Sequence, residues 1–147
     1  MRRSAGSRAG LPVVRTFREL VDLVTERPGL FVRYSHGPER DAEESSRDYE
    51  ADVDLPGLSV TTIGPEPWWT RPAEDWIARR LCKYGDLDEG QEERRRPWLL
   101  EGRVVASGPD HEPLVVDTVP VAWIGESAIA EAKRRYRRCF QVGQDST

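Results

Sequence analysis

Three segments of the chain repeat their hydrophobic residues with the period of an α-helix. In the first segment, 16–27, the apolar residues that share one face are Phe17, Leu20, Val21 and Val24. Thr16 and Glu19 have the spacing of a capping box, in which each side chain accepts a backbone N–H. Segments 72–84 and 126–140 repeat the helical spacing. The pattern therefore predicts three helices.

Other segments have the alternation or the β-branched and aromatic composition of strands. These segments are 30–35, 58–63, 98–106, 113–117 and 121–124. Helices and strands then follow each other in the order α-β-β-α-β-β-β-α. This order predicts a single α+β domain with three helices and a mixed or mostly antiparallel sheet of about five strands.

Three segments lack such a pattern. Residues 1–15 lack the apolar run of a secretory signal, and we expect a flexible tail before a domain that spans 16–147. Residues 36–55 are rich in Asp, Glu, Ser and Arg, which predicts a polar loop that is either a functional lid or disordered. Residues 86–96 form a charged connector.

The composition narrows the class of protein. Of the 147 residues, 37% are hydrophobic, and no apolar run approaches the ~18 residues that a membrane span needs. The net charge of −4 argues against nucleic-acid binding by bulk attraction. Two cysteines, two histidines and no HExxH motif argue against a disulfide framework or a metal site. We expect a soluble cytoplasmic protein without a metal, whose oligomeric state has no signature in the sequence.

A first candidate site lies where the predicted strand 30–35 runs into the polar loop. Arg33 offers a planar fork for a phosphate or a carboxylate. Ser35 adds a hydroxyl, and His36 can exchange a proton near neutral pH. Loops on a rigid scaffold are common places for binding residues. The alternative is that Arg33 pairs with an acid of the 39–54 run and that His36 is an exposed loop residue.

Two adjacent tryptophans, Trp68 and Trp69, form a second candidate site. Prolines on both sides make this segment rigid, and paired indoles can stack a planar ring or a peptide. The same indoles can instead pack over the predicted helix 72–84 and close the core. The sequence leaves both roles open.

A third candidate is Glu112, which lies in the segment 107–113 between two predicted strands. Its carboxylate, or that of Asp110, can reach a cleft and stabilise a developing cation. Gly-Pro-Asp is also strong turn chemistry by itself. The segment is therefore either a simple hairpin turn or the source of a catalytic acid.

Longer stretches of the chain resemble an actinobacterial family of uncharacterised proteins. The resemblance rests on LFVRYSHGP, RDYEADVDLPGLSV, EPWWTRPAEDWIARRLCKY, GRVVASGPDHEPLV and the PVAWI that precedes the last helix. It spans residues 16–147 and implies relatives without implying an activity.

The chain also resembles, more distantly, ADP-ribosyltransferase-like domains, which include RES-type NAD-consuming toxins and RNA 2'-phosphotransferases. In these domains an early strand ends in Arg or His, a Gly-Leu-Ser strand and a helix follow, and a late strand carries a carboxylate. Arg33 matches the first feature, Gly57-Leu58-Ser59 the second, and Glu112 the last. The Glu-x-Glu that usually precedes the last strands of such domains is missing here.

This second resemblance implies NAD as a cofactor. Arg33 would hold the pyrophosphate, Ser59 would contact the nicotinamide ribose, and one of the paired indoles would stack on a ring. Glu112 would stabilise the oxocarbenium-like charge that develops as the nicotinamide bond breaks. The cofactor-binding candidates are then Arg33, Ser35, Ser59, Trp68 and Trp69, and the catalytic candidates are Glu112 and His36.

Two functional hypotheses follow. The first is a NAD- or nucleotide-binding domain that transfers ADP-ribose or hydrolyses NAD. The second is a non-enzymatic protein-interaction module that uses the acidic loop and the Trp68-Trp69 surface. The hypotheses differ in geometry, because an enzyme gathers Arg33, Ser59 and Glu112 around one cleft. An interaction module scatters these residues and exposes the two tryptophans as a flat patch.

Overall fold

The fold comes from a computed structural model that describes residues 10–43, 46–48, 50–83 and 95–140. The helices in this part of the chain are α1 (Phe17–Glu26), α2 (Pro38–Glu43), α3 (Ala73–Lys83) and α4 (Glu126–Phe140). The strands are β1 (Val13–Val14), β2 (Phe31–Ser35), β3 (Arg47–Asp48), β4 (Val53–Asp54), β5 (Leu58–Ser59), β6 (Thr61–Thr62), β7 (Arg96–Ser107) and β8 (Pro113–Ile124). The predicted α+β class is confirmed, with α2 in addition to the three predicted helices.

Two antiparallel strands of twelve residues each, β7 and β8, form the centre of a six-stranded sheet. β1 lies beside β8 in parallel orientation. β2 lies beside β7, and β6 beside β2, both in antiparallel orientation. The sheet is therefore mixed, as predicted from the order of the elements. β3 and β4 form a separate two-stranded hairpin.

The segment 58–62 closes the sheet into a curl. Its first half, β5, pairs with β8, and its second half, β6, pairs with β2 on the opposite side of the sheet. Val60, between the two halves, donates its N–H to the Pro113 carbonyl (3.2 Å). The sequence predicts one strand over 58–63, and the structure differs because the two halves pair with different neighbours.

The two faces of the curled sheet contribute to two hydrophobic cores. Helices α1, α3 and α4 cover the outer face, where Leu20, Leu81 and Leu99 are among the largest fully buried side chains. The core inside the curl is formed by Phe31, Leu58, Val60, Trp98, Leu100 and Val115. The two cores are therefore separated by the sheet itself and belong to the same domain.

β2 contributes to both cores, because alternate side chains of a strand point to opposite faces. Tyr34 faces the helices, and its hydroxyl donates to the Leu81 carbonyl of α3 (2.8 Å). Arg33 and Ser35 therefore point into the curl, where both contact Asp41 of α2. The first candidate site thus lies at the end of the curl that α2 covers.

The three long helices agree closely with the sequence pattern. The Thr16 hydroxyl accepts the Glu19 N–H (3.0 Å), and the Glu19 carboxylate accepts the Thr16 N–H in return. The four apolar residues predicted to share one face of α1 are all buried. α3 and α4 begin and end within one residue of the predicted bounds. None of the helices in the described part of the chain combines the length and apolarity that a membrane crossing needs.

The segment predicted as an N-terminal tail contains a strand. Val13 pairs with Trp123 of β8, and Val14 pairs with Ile124. A strand of two residues has no hydrophobic period of its own, so the sequence pattern could not distinguish it from the tail. Residues 1–9 lie outside the described part of the chain.

The segment 36–55, predicted as a polar loop, contains α2 and the β3–β4 hairpin. Pro38 is the first residue of α2, where its fixed φ suits a helix, and two acidic residues in the first turn complement the helix dipole. Arg47 bonds Asp54 across the hairpin (2.6 Å). These elements are too short to show a period in the sequence. Whether the segment is mobile stays a prediction.

β8 continues through residues 118–120, which the sequence predicts as a break between two strands. Pro120 pairs with Leu100 of β7, and several irregularities in the pairing of β7 with β8 have the form of β-bulges. Asp117 adopts a positive φ of 55° beside one of them. Bulges accommodate residues that a regular ladder rejects, and this is why the proline does not end the strand.

Candidate functional site

Arg33, the first predicted ligand contact, is held from two sides inside the curl. Its Nε donates to Oδ2 of Asp41 on α2, and its Nη1 donates to the carbonyl oxygen of Ser59 on β5, both at 2.7 Å. The side chains of Arg33 and Asp41 are only 21% and 11% exposed. The structure therefore pairs Arg33 with an acid of the 39–54 run, which is the alternative that the sequence left open.

Ser35 reinforces this ion pair. Its hydroxyl donates to the same Asp41 oxygen (2.6 Å). It accepts the indole N–H of Trp98 (2.8 Å) and the backbone N–H of Gly37 (3.1 Å). One donor and two acceptors use the full hydrogen-bonding capacity of a hydroxyl. Ser35 therefore joins β2 to β7 and to the start of α2.

Ser59 connects Arg33 to Glu112. Its carbonyl accepts from Arg33, and its hydroxyl donates to Oε2 of Glu112 (2.8 Å). Its backbone N–H donates to the Ser46 hydroxyl (3.0 Å). Four of the predicted site residues, Arg33, Ser35, Ser59 and Glu112, thus belong to one hydrogen-bonded group. We call this group the polar cluster, which consists of Arg33, Ser35, Asp41, Ser46, Ser59 and Glu112.

The Glu112 side chain folds back on the turn between β7 and β8. Its Oε1 accepts the Asp110 N–H (2.9 Å), and its backbone carbonyl accepts the Gly108 N–H (2.8 Å). A Cβ atom at position 108 would collide with the Glu112 carboxylate, so this carboxylate keeps its position only while residue 108 is glycine. Both carboxylate oxygens of the predicted catalytic acid therefore have partners within the protein.

A pocket of about 440 Å³ opens beside α2, next to the polar cluster. Its apolar wall includes Leu58, Trp98 and Val115 from the core inside the curl. Its charged side chains are the carboxylates of Asp41 and Asp117, and within the described residues no arginine or lysine lines it. This lining suits an apolar ligand or a hydrogen-bond donor and offers no cation to a pyrophosphate.

His36, the other predicted catalytic residue, lies beside a second pocket of about 730 Å³ that borders the first along α2. Arg40 and Trp123 also line this second pocket. Glu112 lines neither pocket. The structure therefore does not bring the two predicted catalytic residues into one cavity.

Trp68 and Trp69 lie away from the polar cluster, against α3. Both rings meet Trp76 of α3 edge-on, with centroids 5.6 Å and 5.0 Å away, and they meet each other at 6.2 Å. Neither lines either pocket. Trp69 is partly buried, whereas Trp68 is 67% exposed. Trp69 therefore packs against α3, as one of the two predicted roles requires, and stacking of a ligand on Trp68 stays a prediction.

Guanidinium groups lie over these rings. Arg79 is 5.0 Å from the centroid of Trp69 and 5.6 Å from that of Trp76. Arg80 is 5.2 Å from Trp76, and Arg71 is 5.8 Å from Trp69. Such cation–π contacts are worth about 0.5–1 kcal/mol each at exposed sites. We call this group the tryptophan surface, which consists of Trp68, Trp69, Trp76, Arg71, Arg79 and Arg80.

A buried carboxylate joins α3 to α4 beside the tryptophan surface. Asp75 accepts from Arg135 of α4 (2.8 Å) and from the Cys139 thiol (3.3 Å), and Arg71 lies 3.1 Å away. Burial by itself would raise the pKa of Asp75, but these three partners outweigh burial and lower the pKa below its ordinary value of 3.8. The hydrogen bond to Asp75 raises the pKa of Arg135.

This connection between α3 and α4 was not predicted from the sequence. Arg71 and Asp75 are four residues apart at the start of a helix, which is a visible signal for an ion pair. Arg135 is 60 residues further along the chain, so its part in the contact depends on how the two helices pack. Only the local half of the contact was open to prediction.

Comparison with known proteins matches residues 7–146 of the chain to a family of unknown function (DUF6098). No curated protein and no solved structure matches. The match agrees with the resemblance to a family of uncharacterised proteins. The comparisons give no support to the resemblance to ADP-ribosyltransferase-like domains.

Proposed function

The chain belongs to this family of unknown function, DUF6098, and we propose that it is a protein-interaction module that binds its partner through the tryptophan surface. The observation that carries the proposal is the exposure of Trp68, at 67%. Tryptophan and arginine are among the residues that most often dominate the binding energy of protein interfaces. The tryptophan surface places three of each side by side.

The contacts that hold these side chains in place support the proposal as well. The Trp68 ring meets Trp69 and Trp76 edge-on, and the Trp69 indole donates to the Pro72 carbonyl (3.0 Å). A side chain that is already held in the free protein loses little conformational entropy when a partner binds. Covering ~150 Å² of indole at ~25 cal/mol/Å² gives an upper limit of about 4 kcal/mol. After the costs of association, about 2 kcal/mol of this remains, which corresponds to ~30-fold in affinity.

Identification of the partner, followed by direct titration, tests the proposal. Cross-linking mass spectrometry in the cells that produce the protein identifies candidates, which are then purified. We expect Trp68→Ala to weaken binding of the true partner by about 30-fold. Val104→Ala is the control, because Val104 is another exposed hydrophobic residue (54%) and lies on β7. Equal affinity of wild type and Trp68→Ala for every partner would reject the proposal.

The polar cluster supports a second candidate function, which is binding of NAD or a related nucleotide with transfer or hydrolysis of its ADP-ribose. The observation in its favour is that Ser59 joins Arg33 to Glu112, since these are the residues expected around such a ligand. For Arg33 to hold a pyrophosphate, the ligand would have to replace Asp41 as its partner. This exchange makes the nucleotide function the second candidate and not the first.

Calorimetric titration with NAD and with ADP-ribose tests the second candidate. We expect wild type to bind one of them with a Kd below about 1 mM, and Arg33→Ala to bind it ~10- to 150-fold more weakly. Arg103→Ala is the control, because Arg103 forms an exposed ion pair with Asp117. Absence of binding to wild type at millimolar concentration would end the nucleotide hypothesis.

A further inference from the structure

We infer that the tryptophan surface binds an acidic peptide segment of its partner, and that one carboxylate of this segment accepts the indole N–H of Trp76. The inference rests on the proposed interaction function and adds the chemistry of the partner. It follows from two observations on the same surface: a buried N–H without an acceptor, and positive charges without carboxylate partners.

The first observation concerns Trp76. Its ring is only 4% exposed, and its Nε1 is buried with no hydrogen-bond partner among the described residues. Buried N–H groups in folded proteins are nearly always paired, because an unpaired one has lost its water without gaining an acceptor. Trp76 lies against the exposed Trp68 ring, whose centroid is 5.6 Å away. In the inferred complex, a bound group that enters beside Trp68 supplies the missing acceptor.

The second observation concerns the guanidinium groups beside Trp76. The charge of Arg71 is met by Asp75 at 3.1 Å. Among the described residues, the contacts of Arg79 are with aromatic rings, and Arg80 adds a long hydrogen bond to the Thr62 hydroxyl (3.4 Å). Across the described part of the chain, neither Arg79 nor Arg80 has a carboxylate within ion-pair distance. The acceptor that suits this place therefore carries negative charge.

The surrounding helices have the same sign of charge. α3 and α4 together carry eight basic and four acidic residues, although the whole chain has a net charge of −4. A positive region on an acidic protein favours an acidic partner over a basic one and orients the partner as it approaches. Charge complementarity thus points to glutamate or aspartate side chains on the partner.

The geometry favours a peptide over a single-stranded nucleic acid. Nucleic-acid strands bind by stacking their bases on open aromatic faces. Here Arg79 lies over Trp69 and Arg80 over Trp76, and the three tryptophans meet edge-on, so the exposed Trp68 ring gives a strand one indole to stack on and no row of parallel faces. The net charge of the whole protein also repels a long polyanion. One buried N–H and two guanidinium groups match a few carboxylates on a short segment.

Fluorescence polarisation with two matched peptides tests the inference on the full-length protein. The probes are fluorescein-labelled Glu-Glu-Leu-Glu-Glu-Leu and the same peptide with glutamine at each glutamate. We expect wild type to bind the acidic peptide at least about tenfold more tightly than the glutamine peptide at low salt. Because this comparison uses wild type alone, it does not depend on the folding of a variant. Equal binding of the two peptides, or no binding of either, would overturn the inference.

Two variants then locate the binding site. We expect Arg79→Gln to weaken the acidic peptide by about fivefold or more, while Arg40→Gln, which removes one charge from α2, leaves the affinity nearly unchanged. Trp76→Phe removes the N–H together with the five-membered ring of the indole, so thermal unfolding checks first that the variant folds. We expect it to weaken the acidic peptide without affecting the glutamine peptide. In wild type, the Trp76 indole N–H resonance should shift when the acidic peptide is added. An unshifted resonance at saturation would overturn the role of Trp76.

Other occupants give different results. Tighter binding of a labelled uridine dodecamer than of the acidic peptide would assign the surface to nucleic acid and overturn the inference. Self-association that Arg79→Gln abolishes would assign it to a second copy of the chain. If binding of the natural partner is weakened by Trp68→Ala but not by Arg79→Gln or Trp76→Phe, the inference of an acidic peptide is overturned and the proposed function is not. If Trp68→Ala does not weaken binding of the natural partner, the proposed function itself is overturned.

Discussion

The guanidinium of Arg33 and the carboxylate of Asp41 form a largely buried ion pair, with Nε 2.7 Å from Oδ2. The same carboxylate oxygen accepts the Ser35 hydroxyl. The pair joins strand β2 to the short helix α2. The polar cluster therefore has a structural role at this end of the curl, whether or not it also binds a ligand. This contact gives the first of four predictions.

Arg33→Met should lower the free energy of unfolding by about 3 kcal/mol, because it leaves Asp41 buried without its cation. Urea denaturation at pH 7 measures this change. Arg103→Met is the matched control, since Arg103 and Asp117 form an exposed pair, and we expect a change below ~1 kcal/mol there. Similar losses in the two variants would show that the Arg33–Asp41 pair contributes no more than a surface pair.

Gly108→Ala should destabilise the protein by about 1–3 kcal/mol, because the added methyl group displaces the Glu112 carboxylate from Ser59 and Asp110. Gly29→Ala is the control, since a Cβ atom there meets nothing within 4 Å. Thermal unfolding of both variants measures the difference. If displacement of Glu112 is the cause, the double variant Gly108→Ala/Glu112→Ala should be little less stable than Gly108→Ala alone. A loss in the double variant equal to the sum of the two single losses would contradict this explanation.

Asp75 should make the stability of the protein decrease in acid. The pKa of Asp75 is lower in the folded state than its ordinary value of 3.8. Ionised Asp75 therefore contributes fully to the free energy of unfolding above pH 3.8, and this contribution is lost as the pH falls from 3.8 through the lower folded pKa. Unfolding free energies of wild type and Asp75→Asn, measured from pH 7 down to about pH 2, should therefore converge at the acid end. Asp22→Asn, at an exposed pair, is the control. Parallel curves for Asp75→Asn and wild type would exclude this linkage.

Leu81→Ala should lower the free energy of unfolding by about 2–5 kcal/mol, because Leu81 of α3 is fully buried in the core between the helices and the outer face of the sheet. Val53→Ala removes a similar apolar group from an exposed position on the β3–β4 hairpin and should change stability by less than ~0.5 kcal/mol. Chemical denaturation compares the two. A small loss for Leu81→Ala would mean that the core relaxes to fill the cavity.

Local sequence signals account for the parts of the fold that could be predicted. The Thr16–Glu19 capping box and the apolar face behind it lie within ten residues, so α1 could be identified without knowledge of the rest of the chain. The split of 58–62 between two partners depends on β2 and β8, and no local pattern shows that. Short elements such as α2 carry too few residues for a hydrophobic period to appear.

Part of the polar cluster could be predicted in its membership but not in its bonding, and His36, Trp68 and Trp69 lie outside it. Arg33, Ser59 and Glu112 were expected together, and Ser59 does join the other two. The sequence could not decide between a ligand and an internal acid as the partner of Arg33, because Asp41 reaches it only once α2 forms. Trp68 and Trp69 posed the same problem, since both contact Trp76 of α3 and the sequence does not show which of the two rings stays exposed.

The closure of the curl by residues 58–62 has a consequence for protein synthesis. On the ribosome, β2 and β6 emerge long before β8, so the early part of the chain can form one side of the curl but not the other. Until β8 arrives, Leu58 and Val60 lack the Val115 side of their core, and one edge of the nascent sheet has no strand to pair with. The last third of this sequence therefore completes a structure that the first third begins, and the curl cannot close until β8 has been synthesised.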